Sequence, residues 1–268
     1  MRILLSNDDG YFSPGLAALE RAALTLSDDV WVVAPERKRS SMGHGLSLHD
    51  TFTMRELGQR RYACSGTPAD CVIAALAWLF SDSTKPALVL SGINDGRNIG
   101  EDIAYSGTMA IAREASFWGI AAIAFSAPKN VNFDAPEMLE WLSCLVRSLG
   151  SDIGAWHRPD HWLSINLPAA APAALRHSVP GRAKIASAIE SDPTVDGVTR
   201  LRYRDGRSVR ATAEDELSLL DAGYGSVYRL RWNTFVPVED ALLALVNGFL
   251  PENRVRHPVS RIDRHEST

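Results

Sequence analysis

Arg2-Ile3-Leu4-Leu5-Ser6-Asn7-Asp8-Asp9-Gly10 sets the reading of the whole chain, because a short apolar run ends there on two adjacent carboxylates. A continuous apolar segment followed by Gly10, Pro14 and Gly15, and then by apolar residues at helical spacing, predicts a buried parallel strand, a turn and a helix. In open α/β sheets the ligand crevice lies outside the carboxyl ends of the strands, which is where Asp8 and Asp9 fall. Two neighbouring carboxylates repel one another, and keeping both ionised in such a place needs a compensating cation. A hard divalent metal is the simplest one. The alternative gives one Asp to the backbone N–H groups of the turn and leaves the other in solvent, and the tetrapeptide alone leaves both readings open.

The 268 residues are enough for one large α/β domain with an appendage, and 46% hydrophobic with 22% charged residues is ordinary for a globular protein. Lys and Arg number 28 against 32 Asp and Glu, and the net charge of −4 gives no whole-molecule attraction to nucleic acid or to an anionic membrane. Any basic site must be local. Cys64, Cys71 and Cys144 lack CxxC spacing and lie in apolar stretches, so packing is expected of them, not a disulfide framework or a zinc knuckle. The chain enters a strand without a basic, apolar and cleavage region in series, and it has no apolar stretch long enough to span a bilayer. A cytoplasmic protein with no membrane and no nucleic-acid partner is the expectation.

Leu16, Leu19, Ala23 and Leu26 recur at helical spacing before the apolar run Val30 to Ala34, which completes a βαβ unit. Thr51 to Arg55 and Arg61 to Ser65 predict a hairpin about Gly58. Further on come a helix from Ala69 to Phe80, a strand from Ala87 to Leu90, a helix from Thr108 to Trp118 and a strand from Ala121 to Phe125. A helix from Pro136 to Leu149 and a strand from Trp162 to Asn166 end the regular part. Past residue 170 the texture turns irregular: Arg200 to Arg204 and Ser208 to Thr212 read as a hairpin about Asp205-Gly206, followed by a strand from Gly225 to Trp232 and a helix from Val238 to Phe249. The expected fold is therefore α/β, a Rossmann-like, doubly wound and mostly parallel sheet, with an irregular C-terminal extension containing a β-hairpin. Residues 1–170 form the catalytic core, 171–250 the extension and oligomerisation region, and 251–268 a disordered tail.

Three strand ends carry polar residues of kinds that belong together. After the second strand, Glu36-Arg37-Lys38-Arg39-Ser40-Ser41 offers three cations and two hydroxyls, either an anion-receiving loop or a solvated basic one. After the third strand, Ser91-Gly92-Ile93-Asn94-Asp95-Gly96-Arg97-Asn98-Ile99-Gly100 combines glycines, which permit close backbone approach, with Asn side chains that offer an oxygen to a metal and an amide to a phosphoryl group. Tyr105-Ser106-Gly107-Thr108 then opens a helix whose N-terminus attracts anions, although Ser106 or Thr108 can equally serve as a simple N-cap. All three segments fall on one edge of one sheet. Together they specify an oxygen-ligand divalent metal beside a phosphate pocket.

Ser6 to Gly10, Val33-Ala34-Pro35 with Arg39-Ser40, Gly66-Thr67-Pro68-Ala69-Asp70-Cys71-Val72, Ser91 to Asn94 through Gly96, Asn98 and Gly100, and Tyr105 to Thr108 resemble the ordered motif set of the SurE survival-protein family. The match spans roughly residues 1 to 126, with weaker agreement at Ser164 to Pro168. The resemblance implies a phosphoric monoester hydrolase, a metal-dependent 5′-nucleotidase, with nucleoside monophosphates as substrates. It implies one Mg²⁺ or Mn²⁺ per subunit held by Asp8, Asp9, Ser40 and Asn94, with Asp8 and Asp9 as catalytic residues, and phosphate contacts from Asn98, Ser106, Gly107 and Thr108. It also implies a homodimer or homotetramer with exchanged C-terminal elements. Asp95, Arg97 and the divergent segment around Ala213-Glu214-Asp215 depart from the family pattern. The rival readings are a phosphatase for another phosphorylated metabolite, polyphosphate or a nucleoside 3′-phosphate, and a nucleotide-binding module without turnover.

Overall fold

In the computed structural model of the chain, residues 1–204, 206–210, 215–233, 239 and 242 are described. The elements are β1 (Ile3–Ser6), α1 (Pro14–Leu24), β2 (Val30–Pro35), β3 (Met54–Gly58), β4 (Arg61–Cys64), α2 (Pro68–Ala74), β5 (Leu88–Asp95), α3 (Asp102–Tyr105), α4 (Gly107–Phe117), β6 (Ala121–Ala127), α5 (Pro136–Ser151), α6 (Ile153–Trp156), β7 (His161–Asn166), β8 (Leu175–His177), β9 (Arg182–Ile185), β10 (Ile189–Ser191), β11 (Leu201–Tyr203), β12 (Arg207–Arg210), α7 (Glu216–Asp221) and β13 (Gly225–Arg231). Helix starts follow local chemistry. Ser13 caps α1 with Pro14 in its first turn, and Thr67 and Asp70 form a reciprocal capping box on α2.

Nine strands form one sheet in the order β3-β4-β2-β1-β5-β6-β7-β13-β8. β4, β2, β1, β5, β6 and β7 run parallel, while β3 and β13 are antiparallel to their neighbours β4 and β7. The chain leaves β1 toward β2 on one side and returns to β5 on the other, so the strand order reverses at β1. That topological switch point opens the ligand crevice. β1 is buried throughout. One face of the sheet packs Leu16, Leu19, Met138, Leu142 and Val146 of α1 and α5. The other packs Cys71, Val72, Met109, Ile111 and Ala115 of α2 and α4. This is the doubly wound arrangement expected from the sequence.

Within the described residues the predicted hairpin is built differently. β11 pairs with β10, and β12 with β9, so the ribbon runs outward through 182–191 and back through 201–210. Its turn is Asp196-Gly197, with φ of 51° and 77° and reciprocal Val195–Val198 backbone hydrogen bonds of 3.0 and 2.9 Å. Two Asp-Gly pairs compete for this role, and positive φ at both central residues is what a two-residue hairpin turn requires. The strand 225–231 is not peripheral: it enters the main sheet beside β7. Of the helix expected at Val238 to Phe249 all but residues 239 and 242 lie outside the described residues, as does the tail from 251.

Candidate active site

The turn after β1 is held by Asn7, whose side-chain amide donates to the Gly10 carbonyl at 3.0 Å and to Ser13 Oγ at 2.6 Å. Gly10 has φ +101°, and a Cβ there would lie 3.1 Å from the Arg37 carbonyl carbon, so the turn after β1 and the loop after β2 meet backbone to backbone. The Arg39 N–H closes that contact by donating to the Asp8 carbonyl at 2.7 Å.

Asp8 is 4% exposed, and Oδ1 of its carboxylate accepts the Thr108 hydroxyl at 2.5 Å. Burial pushes its pKa up to about 6, with the Thr108 hydrogen bond opposing and the neighbouring Asp9 charge adding to the rise. Asp9 sits beside it with different partners: Lys38 Nζ lies 2.5 Å from Oδ1, and the Asp95 N–H donates to Oδ2 at 2.8 Å. The hydrogen bond to Asp9 raises the Lys38 pKa, against a smaller opposing effect of burial. Asp9 thus takes a backbone N–H, as the turn reading would have it, but from the end of β5 and not from its own turn. Neither carboxylate is left to solvent.

Asn94 is aimed by a β-bulge: the β5–β6 register runs Ser91–Ala124 and then Asn94–Ser126, one extra residue on β5. Its amide donates to the Gly96 carbonyl at 2.7 Å, which leaves Oδ1 facing Thr108 Oγ1 at 3.4 Å. Asp8, Asp9, Asn94 and the exposed Ser40 line one cavity of about 320 Å³, together with Asn98 and Ser106. Ser106 is the N-cap of α4 and accepts the Met109 N–H at 3.1 Å. Ahead of the first intrahelical bond, Ala110 N–H to the Ser106 carbonyl at 3.1 Å, stand the N–H groups of Gly107 and Thr108. A Cβ on Gly107 would lie 2.7 Å from the Asp8 Cβ, so the positive end of α4 abuts the carboxylate directly. Asn98 is fixed from below: its N–H donates to Asn166 Oδ1 at 3.0 Å and its side-chain amide to Ser126 Oγ at 2.8 Å.

The sequence did not announce several of these partners. Thr108 is fully buried, with its hydroxyl spent on Asp8. Of the three cations after β2, Lys38 pairs with Asp9, and Arg39 Nη2 donates to the Ser65 carbonyl at 2.5 Å. Lys129, in the loop after β6, adds a cation to the cavity; its position after another parallel strand was the available signal. Arg97 is paired with Asp221 of α7 at 2.8 Å. Buried Glu216 of α7 accepts the Gly100 N–H at 2.6 Å and the Gly181 N–H, while Glu101 pairs with Arg182 at 2.9 Å. The C-terminal extension therefore clamps the loop between β5 and α4.

The donor set is all oxygen, and among the described residues the buried Asp8 carboxylate has no direct ion-pair partner, which suits a hard divalent ion such as Mg²⁺ or Mn²⁺. The fold and this cavity define an α/β protein with an acidic, oxygen-lined centre against a helix N-terminus at a sheet switch point. The family profile described as survival protein SurE matches residues 3–187. The 5′-nucleotidase SurE of Methylorubrum extorquens is 53% identical over 126 residues, covering 47% of this chain and 49% of that protein. Over that alignment the chain spans about half the length of the curated relative. The 5′-nucleotidase SurE of a Chelativorans species is 39% identical over 235 residues, 85% of this chain and 92% of that protein. The crystal structure of the SurE protein from Aquifex aeolicus aligns with TM-score 0.72 and 31% identity, covering 92% of this chain and 99% of that one. The chain belongs to the SurE family. Among the described residues no helix is long and apolar enough to cross a membrane.

Proposed function

We propose that this chain is a divalent-metal-dependent phosphatase that hydrolyses nucleoside monophosphates to nucleoside and phosphate. The observation that carries the reading is the meeting of Asp8, Asp9, Ser40 and Asn94 in one cavity against the N-terminus of α4. Asp8, Asp9, Asn94 and Ser40 would hold one Mg²⁺ or Mn²⁺ per subunit, which when bound supplies positive charge against the phosphoryl oxygens and acidifies the attacking water. Phosphate monoesters resist hydrolysis because the nucleophile approaches an anionic centre, so charge stabilisation and alignment are the main tasks of the protein. The Ser106 hydroxyl and Lys129 line the cavity on the phosphoryl side together with Asn98, and the Gly107 and Thr108 N–H groups behind them, at the start of α4, would add donors there. Asp8 orients the water, with Thr108 fixing its carboxylate. The test is hydrolysis of a panel of 5′- and 3′-nucleoside monophosphates, sugar phosphates and polyphosphate, with metal and after chelation. Nucleotide turnover lost on chelation and restored by Mn²⁺ or Mg²⁺ is expected, and undiminished turnover in EDTA overturns the reading.

The same proposal includes assembly as a homodimer or homotetramer through residues 171–250. In the ribbon of β10 and β11, Ile189 pairs with Tyr203 and Ser191 with Leu201, while the opposite face carries Glu190 and Asp192 bonded to Arg202, each at 3.0 Å. Ile189, Leu201 and Tyr203 are all exposed. An isolated two-stranded ribbon is marginal in water, and an apolar face of this kind is normally covered by another chain.

A further inference from the structure

A second cavity, of about 480 Å³, adjoins the candidate centre and shares three of its lining residues, Asp9, Lys38 and Asp95. Its character is different. Tyr11, Phe12, Ile93, Val131 and Phe133 line it from the turn after β1, the body of β5 and the loop after β6. Phe12 is 81% exposed and meets the Tyr11 ring edge-on, with centroids 4.9 Å apart. An aromatic ring held out in solvent on a tight turn contributes nothing to the core, and Ser13 and Pro14 right behind it fix its position by starting α1. The boundary they share includes the ion pair of Asp9 with Lys38, whose side chain is 55% exposed. Glu36, Arg37 and Asn130 supply hydrogen-bonding groups at the rim.

We infer that this aromatic cavity receives the nucleobase of the substrate, with Phe12 as the stacking surface and therefore a specificity-determining residue. The inference rests on the phosphatase reading and deepens it. A nucleoside monophosphate has an anionic end and a flat aromatic end joined by a short polar sugar; the two cavities meet at charged side chains and offer an oxygen-lined and an aromatic compartment in the same order. Bases stack on exposed aromatic rings irrespective of their hydrogen-bonding edges, so Phe12 and Tyr11 favour any nucleotide over a phosphate ester that lacks a base. The volume is within the range of small-ligand pockets.

The test compares kcat/KM for AMP with that for ribose 5-phosphate, which keeps the sugar and phosphate and lacks the base, in the full-length chain with added Mn²⁺. The wild type is expected to prefer AMP by at least about tenfold, Phe12→Ala to reduce that preference by about fivefold or more through KM, and Phe12→Tyr to keep it. Adenosine should inhibit competitively, with a weaker inhibition constant in Phe12→Ala. Because Phe12 is exposed, its removal leaves the core intact, and circular dichroism checks that. A preference for AMP that is absent in the wild type, or unchanged in Phe12→Ala, overturns the base site while leaving the phosphatase reading standing. Absence of hydrolysis of every phosphate ester overturns both.

Discussion

Asp8 and Asp9 are adjacent in sequence and unlike in circumstance, which separates the effects of changing them. Asp8 is buried against Thr108 and the start of α4, while Asp9 is shared between Lys38 and the Asp95 N–H. Asp8→Asn and Asp9→Asn should each reduce phosphatase activity by at least about a hundredfold, equivalent to roughly 2.7 kcal/mol of transition-state stabilisation. Ser40→Ala should cost less at saturating metal, because water replaces a neutral hydroxyl; equal losses for Ser40→Ala and Asp9→Asn in steady-state assays would refute the ligand assignment. Thr108→Val removes the donor to a buried carboxylate, and a hydrogen bond to a charged group contributes about 1.5–3 kcal/mol. Activity should therefore fall at least about tenfold in Thr108→Val, whereas Thr108→Ser, which keeps the hydroxyl, should stay close to wild type. The two variants compared at saturating Mn²⁺ make the check. At this scale the carboxylates and Asn94 were legible in the sequence because their neighbours in the chain place them at strand ends. The partner of Thr108 was not, since 100 residues separate it from Asp8.

Among the elements, α7 and the base of the ribbon hold the loop that leads into α4. Glu216 is fully buried and satisfies the N–H groups of Gly100 and Gly181, and Glu101 reaches back to Arg182. Glu216→Ala leaves two backbone donors without their acceptor, at about 1–3 kcal/mol each where no water replaces it. Thermal denaturation should show a lower Tm, and amide exchange at Gly100 should accelerate; an unchanged Tm with unchanged Gly100 protection would remove α7 from the account of the site. Gly197→Val offers a second check, since φ of 77° disfavours a β-branched residue. It should destabilise the ribbon and leave the metal site intact, as read by metal titration. The ribbon also shows where reading the sequence fell short. Asp196-Gly197 and Asp205-Gly206 carry the same turn signal, and only the registers of 182–185 with 207–210 and 189–191 with 201–203 select the first.

For the whole molecule, the expectation is a homo-oligomer whose subunits meet through the apolar face of Ile189, Leu201 and Tyr203. Replacing Leu201 and Tyr203 together by Glu should shift the mass measured by light scattering toward the monomer, while metal binding persists. A full-length protein that is monomeric at micromolar concentration would defeat this assembly and leave the phosphatase proposal untouched. Truncation at residue 198 is a harsher change. It deletes β13 from the main sheet and Glu216 from the Gly100 loop, so loss of both folding stability and phosphatase activity is expected.

The sequence by itself determined the class of sheet, the order of its parallel strands along the chain and the edge on which Asp8, Asp9, Ser40, Asn94 and Ser106 would gather. Those features are written in local periodicity, in caps such as Ser13 and Thr67, and in the polar residues that follow each apolar run. Tertiary structure alone decided that Lys38 closes on Asp9, that Thr108 serves Asp8, that Asp196-Gly197 turns the ribbon, and that α7 clamps the Gly100 loop. Each of these joins residues far apart in the chain. Their pairing depends on strand register and helix placement, which no short window of sequence contains.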